Sequence, residues 1–154
     1  MSINHIGTNE LDGNFKTLKI NNQVVSLPIT EIYPFTGNFG VQAERYLQPY
    51  SGNGTSTNGI LNQISSYKPI KITGMICRKN NPTPTTDFIL FKSDITLQNF
   101  VNLQTVQIPA GSQLGTSPVL NIAISSSELL FCRTTSSGSG NPQEVQVVVQ
   151  FEQQ

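Results

Sequence analysis

The chain contains no tryptophan and a single histidine, His5, among its 154 residues. Without tryptophan it lacks the broad ring on which sugars are often stacked. With one histidine it has little to offer as the base that activates a serine or cysteine nucleophile. Cysteine is nearly as scarce. Cys77 and Cys132 stand 55 positions apart in no C-x-x-C pattern, and with His5 they are too few for a zinc site. The expectation is therefore no cofactor and no metal. Charge is thin as well: Asp, Glu, Lys and Arg make up 12% of the chain and cancel to +0, against roughly 25% charged residues in average soluble proteins. Arg78 and Lys79 form the only adjacent basic pair. A phosphate-binding surface needs clustered lysine and arginine, so nucleic acid is not an expected partner. No apolar run approaches the ~18 residues of a membrane span, so membrane insertion is not expected either. The first residues show no basic segment followed by an apolar one, which predicts synthesis in a cytosol.

What the chain does have is strand rhythm. In 144–151 (EVQVVVQF), Val145, Val147, Val149 and Phe151 fall on one face, with Gln146, Gln150 and Glu152 on the other. That period of two belongs to a strand with one buried side. Further strands are predicted at 69–78, 86–92, 100–109, 118–124 and 128–133, separated by polar breaks. The segment 79–85 (KNNPTPT) holds two prolines that end one strand and keep the link extended. Pro109 removes a ladder donor and Gly111 supplies turn freedom, so a strand stops near 108. Residues 134–143 (TTSSGSGNPQ) read as a flexible connection. Cys77 and Cys132 lie inside predicted strands as small buried hydrophobes; a disulfide between them is left open, because sequence does not show their separation.

The first half is less regular. Residues 1–14 are polar and unpatterned. The segments 15–20 and 24–27 flank an asparagine-rich turn and predict a small hairpin, since asparagine tolerates the left-handed turn conformation. Residues 28–40 (PITEIYPFTGNFG) mix aromatics with proline and glycine and read as an irregular segment with anchored side chains. Residues 41–47 lean to strand, 51–59 are a loop of Gly, Ser, Thr and Asn, and 60–67 place Ile60, Leu61 and Ile64 at helical spacing for two turns only. The loop at 52–59 lacks the lysine of a phosphate cradle. The expected organisation is an N-terminal arm and hairpin over 1–28, serving attachment or oligomerisation, and a β-sandwich over 29–154. The fold class is all-β: a jelly-roll-like antiparallel β-sandwich with a short N-terminal arm and hairpin.

Catalysis finds no obvious set. Asp87, Asp94 and Glu128 lie near strand ends, yet no spacing marks a pair for general acid and base work. The chain is therefore expected not to be an enzyme. A polar, weakly charged, loop-rich surface remains. Tyrosine suits such a surface, with a flat apolar face and a hydroxyl. The candidate contact residues are Tyr46, Tyr50, Asn53 and Asn58; Asn53 also opens an Asn-Gly-Thr glycosylation pattern.

The runs 69–78 (PIKITGMICR), 88–92 (FILFK), 106–112 (VQIPAGS), 120–125 (LNIAIS), 128–133 (ELLFCR) and 145–152 together resemble the β-sandwich head modules of bacteriophage fibres, spikes and related virion proteins. Such modules pair an I-P-A-G-S-like strand end with a later D-x-L-x-hydrophobic-x-R-like strand; here Ser127 and Glu128 stand where Gly-Asp is common. The resemblance covers about half the chain. It implies a jelly-roll-like head, a homotrimer, located in the virion after synthesis in the host cytoplasm. Its partners would be other virion proteins and a host surface glycan or protein. The alternative reading is a carbohydrate-binding module or lectin, which shares the fold and the amide-rich surface.

Overall fold

A computed structural model describes residues 17–20, 23–26, 30–39, 44–49, 55–56 and 63–154. Every regular element among them is a β-strand. In chain order these are β1 (Thr17–Ile20), β2 (Gln23–Ser26), β3 (Thr30–Phe39), β4 (Arg45–Pro49), β5 (Thr55–Ser56), β6 (Gln63–Ser65) and β7 (Ile70–Lys79). They are followed by β8 (Thr85–Asp94), β9 (Val101–Ile108), β10 (Leu114–Thr116), β11 (Ile122–Ile124), β12 (Glu128–Ser137) and β13 (Gln143–Gln153). All pairings are antiparallel.

The expected hairpin is present: β1 pairs with β2, Thr17 opposite Ser26 and Ile20 opposite Gln23. Its two strands form a sheet of their own. Residues 1–16, including His5, lie outside the described residues.

The remaining strands make the all-β sandwich. β13 lies between β3 and β7, and β10 and β11 pair the other side of β7. β12 lies between β4 and β8, with β9 beyond β8. The two sheets, β3-β13-β7-β10 and β4-β12-β8-β9, have the strand order of a jelly roll, in which the last two strands each occupy a sheet interior. β3 touches β4 at one side, with Phe35 opposite Pro49. At the other side β10 lies on β9: a Cβ added to Gly115 would stand 2.9 Å from side-chain carbons of both Ile108 and Val106. The sandwich is therefore nearly closed into a flattened barrel, which leaves little edge open.

The core follows from the period of two. β13 turns Val145, Val147, Val149 and Phe151 inward, and β7 contributes Ile70, Ile72, Met75 and Cys77. The facing sheet supplies Leu47, Phe88, Leu90, Val106, Ile108, Leu130 and Cys132. Both cysteines are buried and free. Burial pushes both thiols up, and for Cys132 the proximity of Cys77 adds to it.

Five segments depart from the sequence reading, one of them 51–59, read as a loop, where Thr55 and Ser56 pair with β4 as β5. Residues 30–39 are a ten-residue strand, not an irregular stretch. Pro34 stands opposite Val148 within the continuous β3–β13 register. Residues 63–65 of the stretch with helical spacing form a strand. Only 122–124 of the strand expected over 118–124 pair with β7. The connection expected from 134 is shorter, because β12 keeps its ladder with β8 through Ser137, opposite Thr85. Gly111, Gly138 and Gly140 all take positive φ in turns. At 111 this is the turn freedom expected after Pro109.

Candidate functional site

The side of the β4-β12-β8-β9 sheet that faces away from the core is not a plain polar surface. On β12, Leu130, Cys132 and Thr134 point into the sandwich, so Leu129, Phe131 and Arg133 point outward. Cross-strand register then sets the outer rows. Phe131 lies between Gln63 on β6 and Phe91 on β8, and Asn102 on β9 follows Phe91. Arg133 lies between Tyr46 on β4 and Ile89 on β8. Phe91, Leu129 and Phe131 form a second apolar cluster, flanked by Tyr46, Ile89 and Leu97.

The rings interlock. Phe91 stacks on Phe131 at 5.3 Å and 8°. Tyr46 meets Phe91 edge-on at 5.7 Å. Phe100 leans on both, 5.9 Å from Phe91 and 5.7 Å from Phe131. These separations suit edge-to-face and offset contacts. Phe131 is thereby sealed at 0% exposure, while Phe100 keeps 52% of its surface open.

Phe100 is brought there by a clamped turn. After β8, Asp94 Oδ1 accepts the Thr96 hydroxyl at 2.7 Å and the N–H groups of Thr96 and Gln98 at 3.1 Å each, and Oδ2 accepts the Asn99 amide. The Thr96 hydroxyl, with the Gln98 N–H and the Asn99 amide, holds the Asp94 carboxyl below the usual carboxylate range. Within this turn Leu97 adopts φ 61°, a conformation that costs a non-glycine residue energy. The turn packs Leu97 against the ring cluster.

Arg133 completes the site. Its guanidinium lies 5.5 Å from the Phe91 ring centroid, and Nη1 donates to Glu44 Oε1 at 2.8 Å. Its buried Nε has no hydrogen-bond partner among the described residues, and neither has Oε1 of Gln63. Tyr46, Ile89, Phe91, Phe100, Asn102 and Arg133 line a hollow of about 360 Å³. It offers ring faces, a hydroxyl, an amide and a guanidinium whose charge Glu44 balances. That combination suits a neutral or amphipathic ligand and is ill suited to a polyanion.

Of the candidate contact residues, Tyr46 lines this hollow; Tyr50, Asn53 and Asn58 lie outside the described residues. The site residues missed in the sequence are Ile89, Phe91, Phe100, Asn102 and Arg133. The available signal was that 88–91 and 129–132 are apolar at every position, so both faces of β8 and β12 must be covered.

The three carboxylates considered for acid and base work have structural partners. Glu128 lies opposite Asp94 in register, but it forms an ion pair with Lys92 and accepts the Ser125 N–H at 2.8 Å. Its partial burial opposes ionisation, yet the Lys92 and Ser125 hydrogen bonds outweigh that and lower its pKa. A general acid at neutral pH needs the opposite shift. Asp87 accepts the Gln107 amide at 2.8 Å on a neighbouring strand. Among the described residues no group of three or more His, Cys, Asp or Glu could hold a metal ion.

A second hollow of about 290 Å³ lies on the opposite sheet, lined by Thr36, Gly37, Arg78, Asn80, Glu144, Val145 and Gln146. It has no ring. No family model matches the chain, and no curated protein matches it.

Proposed function

We propose that this chain is a non-enzymatic virion structural protein, a fibre or spike head or a capsid-associated module, that acts by presenting a contact surface for host attachment or particle assembly. The observation that carries the reading is where the built chemistry lies. The ring cluster, the clamped turn and the balanced arginine all sit on the outer face of a jelly-roll sheet, an architecture used by capsid and lectin domains. The low charge and amide-rich strand faces fit the same role, as does the resemblance to phage head modules noted above.

The working form would be a homotrimer. On the outer face of the other sheet, Pro34, Val148 and Ile76 form one cross-strand row, with Ile32 and Leu114 exposed at 56% and 63% in the rows beside it. A second copy would cover this apolar strip, and association multiplies weak contacts into avidity.

Two measurements test the reading. Mass spectrometry of purified particles from the source is expected to find the chain as a stoichiometric component; its absence there overturns the virion assignment. Light scattering at micromolar concentration is expected to give three chains per particle in solution; a strict monomer overturns the trimer.

A further inference from the structure

We infer that the hollow bounded by Tyr46, Phe91, Phe100, Asn102 and Arg133 is a binding site for a neutral pyranose, the terminal sugar of a glycan. The inference deepens the contact-surface reading and rests on it only for the role of the site, not for its chemistry. A sugar ring presents an apolar C–H face and a rim of hydroxyls. The hollow is built for both. Phe100 keeps half its surface open while its base is fixed on Phe91 and Phe131, so little side-chain freedom remains to be lost on binding. Around it, Asn102, Tyr46 and Arg133 place an amide, a hydroxyl and a guanidinium in the same lining, a mixture of donors and acceptors that matches sugar hydroxyls.

Two observations choose the class. The Arg133 charge is already met by Glu44 at 2.8 Å, so the site does not call for an acidic sugar. The Asp94 clamp and the positive φ of Leu97 hold Phe100 in place at a local cost. Strain of that kind clusters where a surface must be shaped for a ligand.

The test uses the full chain. It is applied to an array of neutral and sialylated glycans, and hits are followed by saturation-transfer difference NMR with the free neutral sugar. Retention of neutral glycans with ring-proton transfer is expected. Phe100→Ala and Asn102→Ala should each weaken retention at least tenfold. Phe100→Tyr, which keeps the ring, and Gln146→Ala, on the opposite sheet, should leave it unchanged. Unaltered thermal melting of the variants separates loss of the site from loss of the fold. Overturning results are no retained glycan, retention confined to sialylated glycans, or retention untouched by both Phe100→Ala and Asn102→Ala. Dissociation of the oligomer by Phe100→Ala would also overturn it, by showing the face to be a subunit contact. Finding the chain in particles while no glycan is retained removes this inference and leaves the virion assignment standing.

Discussion

A buried ammonium group must be answered by oxygen atoms or it gives up its proton. Lys79 has no exposed surface, and among the described residues no carboxylate pairs with it. Its Nζ donates instead to the backbone carbonyls of Pro84, Ile108 and Pro109, tying the end of β7 to the following loop and to the end of β9. Lys79→Met would take this donor from the Pro84 and Ile108 carbonyls, while Pro109 keeps the Ser112 N–H at 3.2 Å. At about 1–3 kcal/mol for each of the two carbonyls, less what is regained by removing a buried charge, a loss of ~1–4 kcal/mol in a denaturant titration is expected. Burial also lowers the Lys79 pKa. Between that lowered value and the unfolded value near ~10.4, the unfolded chain holds the extra proton, so this group's contribution to stability rises with pH. Wild type should gain on Lys79→Met as pH climbs through that window; parallel curves would refute it. Asp94 has the opposite sense. Its depressed pKa means that its stabilisation is complete above the unfolded value near ~3.9 and is lost as pH falls through the folded one. The protection of the Gln98 amide, whose N–H the carboxylate holds, relative to its intrinsic exchange rate should fall in that acid range before that of the core amides does. The free, buried Cys77 and Cys132 should not react with a thiol reagent in the native protein and should both react in denaturant.

At the scale of strands, legibility depended on whether one face or two were covered. β13 alternates valine with glutamine, and its period was plain in the sequence because its outer side is polar except at Val148. β8 and β12 gave only apolar blocks, FILF and LLFC, because Ile89, Phe91, Leu129 and Phe131 serve the outer cluster while Phe88, Leu90, Leu130 and Cys132 serve the core. Their strand character could be read; their second face could not, since nothing local shows that Phe100 returns over it. β3 hid for a related reason: Ile32 and Pro34 are apolar on its outer side, and the proline looked like a break. Close approach of strands makes a further prediction. At Gly74 an added Cβ would meet the tip of the Gln150 side chain at 2.6 Å, which can swing aside; at Gly115 it would meet Val106 and Ile108 at 2.9 Å, both buried. Gly74→Ala should be nearly silent in thermal melting. Gly115→Ala should cost about 1–3 kcal/mol, because β10 must lift from β9.

At the scale of the whole molecule, the two outer faces are different surfaces. One bears the ring cluster around Phe91. The other bears the row Pro34, Val148 and Ile76. If the trimer forms through that row, Ile76→Lys should convert the trimer to monomers by light scattering while leaving melting within about 1 kcal/mol of wild type, since Ile76 is outside the core. Phe100→Ala should leave the trimer intact.

The placement of β12 and β13 has a consequence for how the molecule comes into being. These strands supply the interior of both sheets, so β3 and β7, or β4 and β8, have nothing to bridge them until residues 128–153 have been made. A ribosome adding ~5–20 residues per second would hold unbridged strands for seconds at a time. Local pairs such as β8 with β9 can form early, but neither sheet is complete until that late stretch arrives. Closure of the sandwich therefore waits on the end of synthesis, whatever hairpins have paired before it.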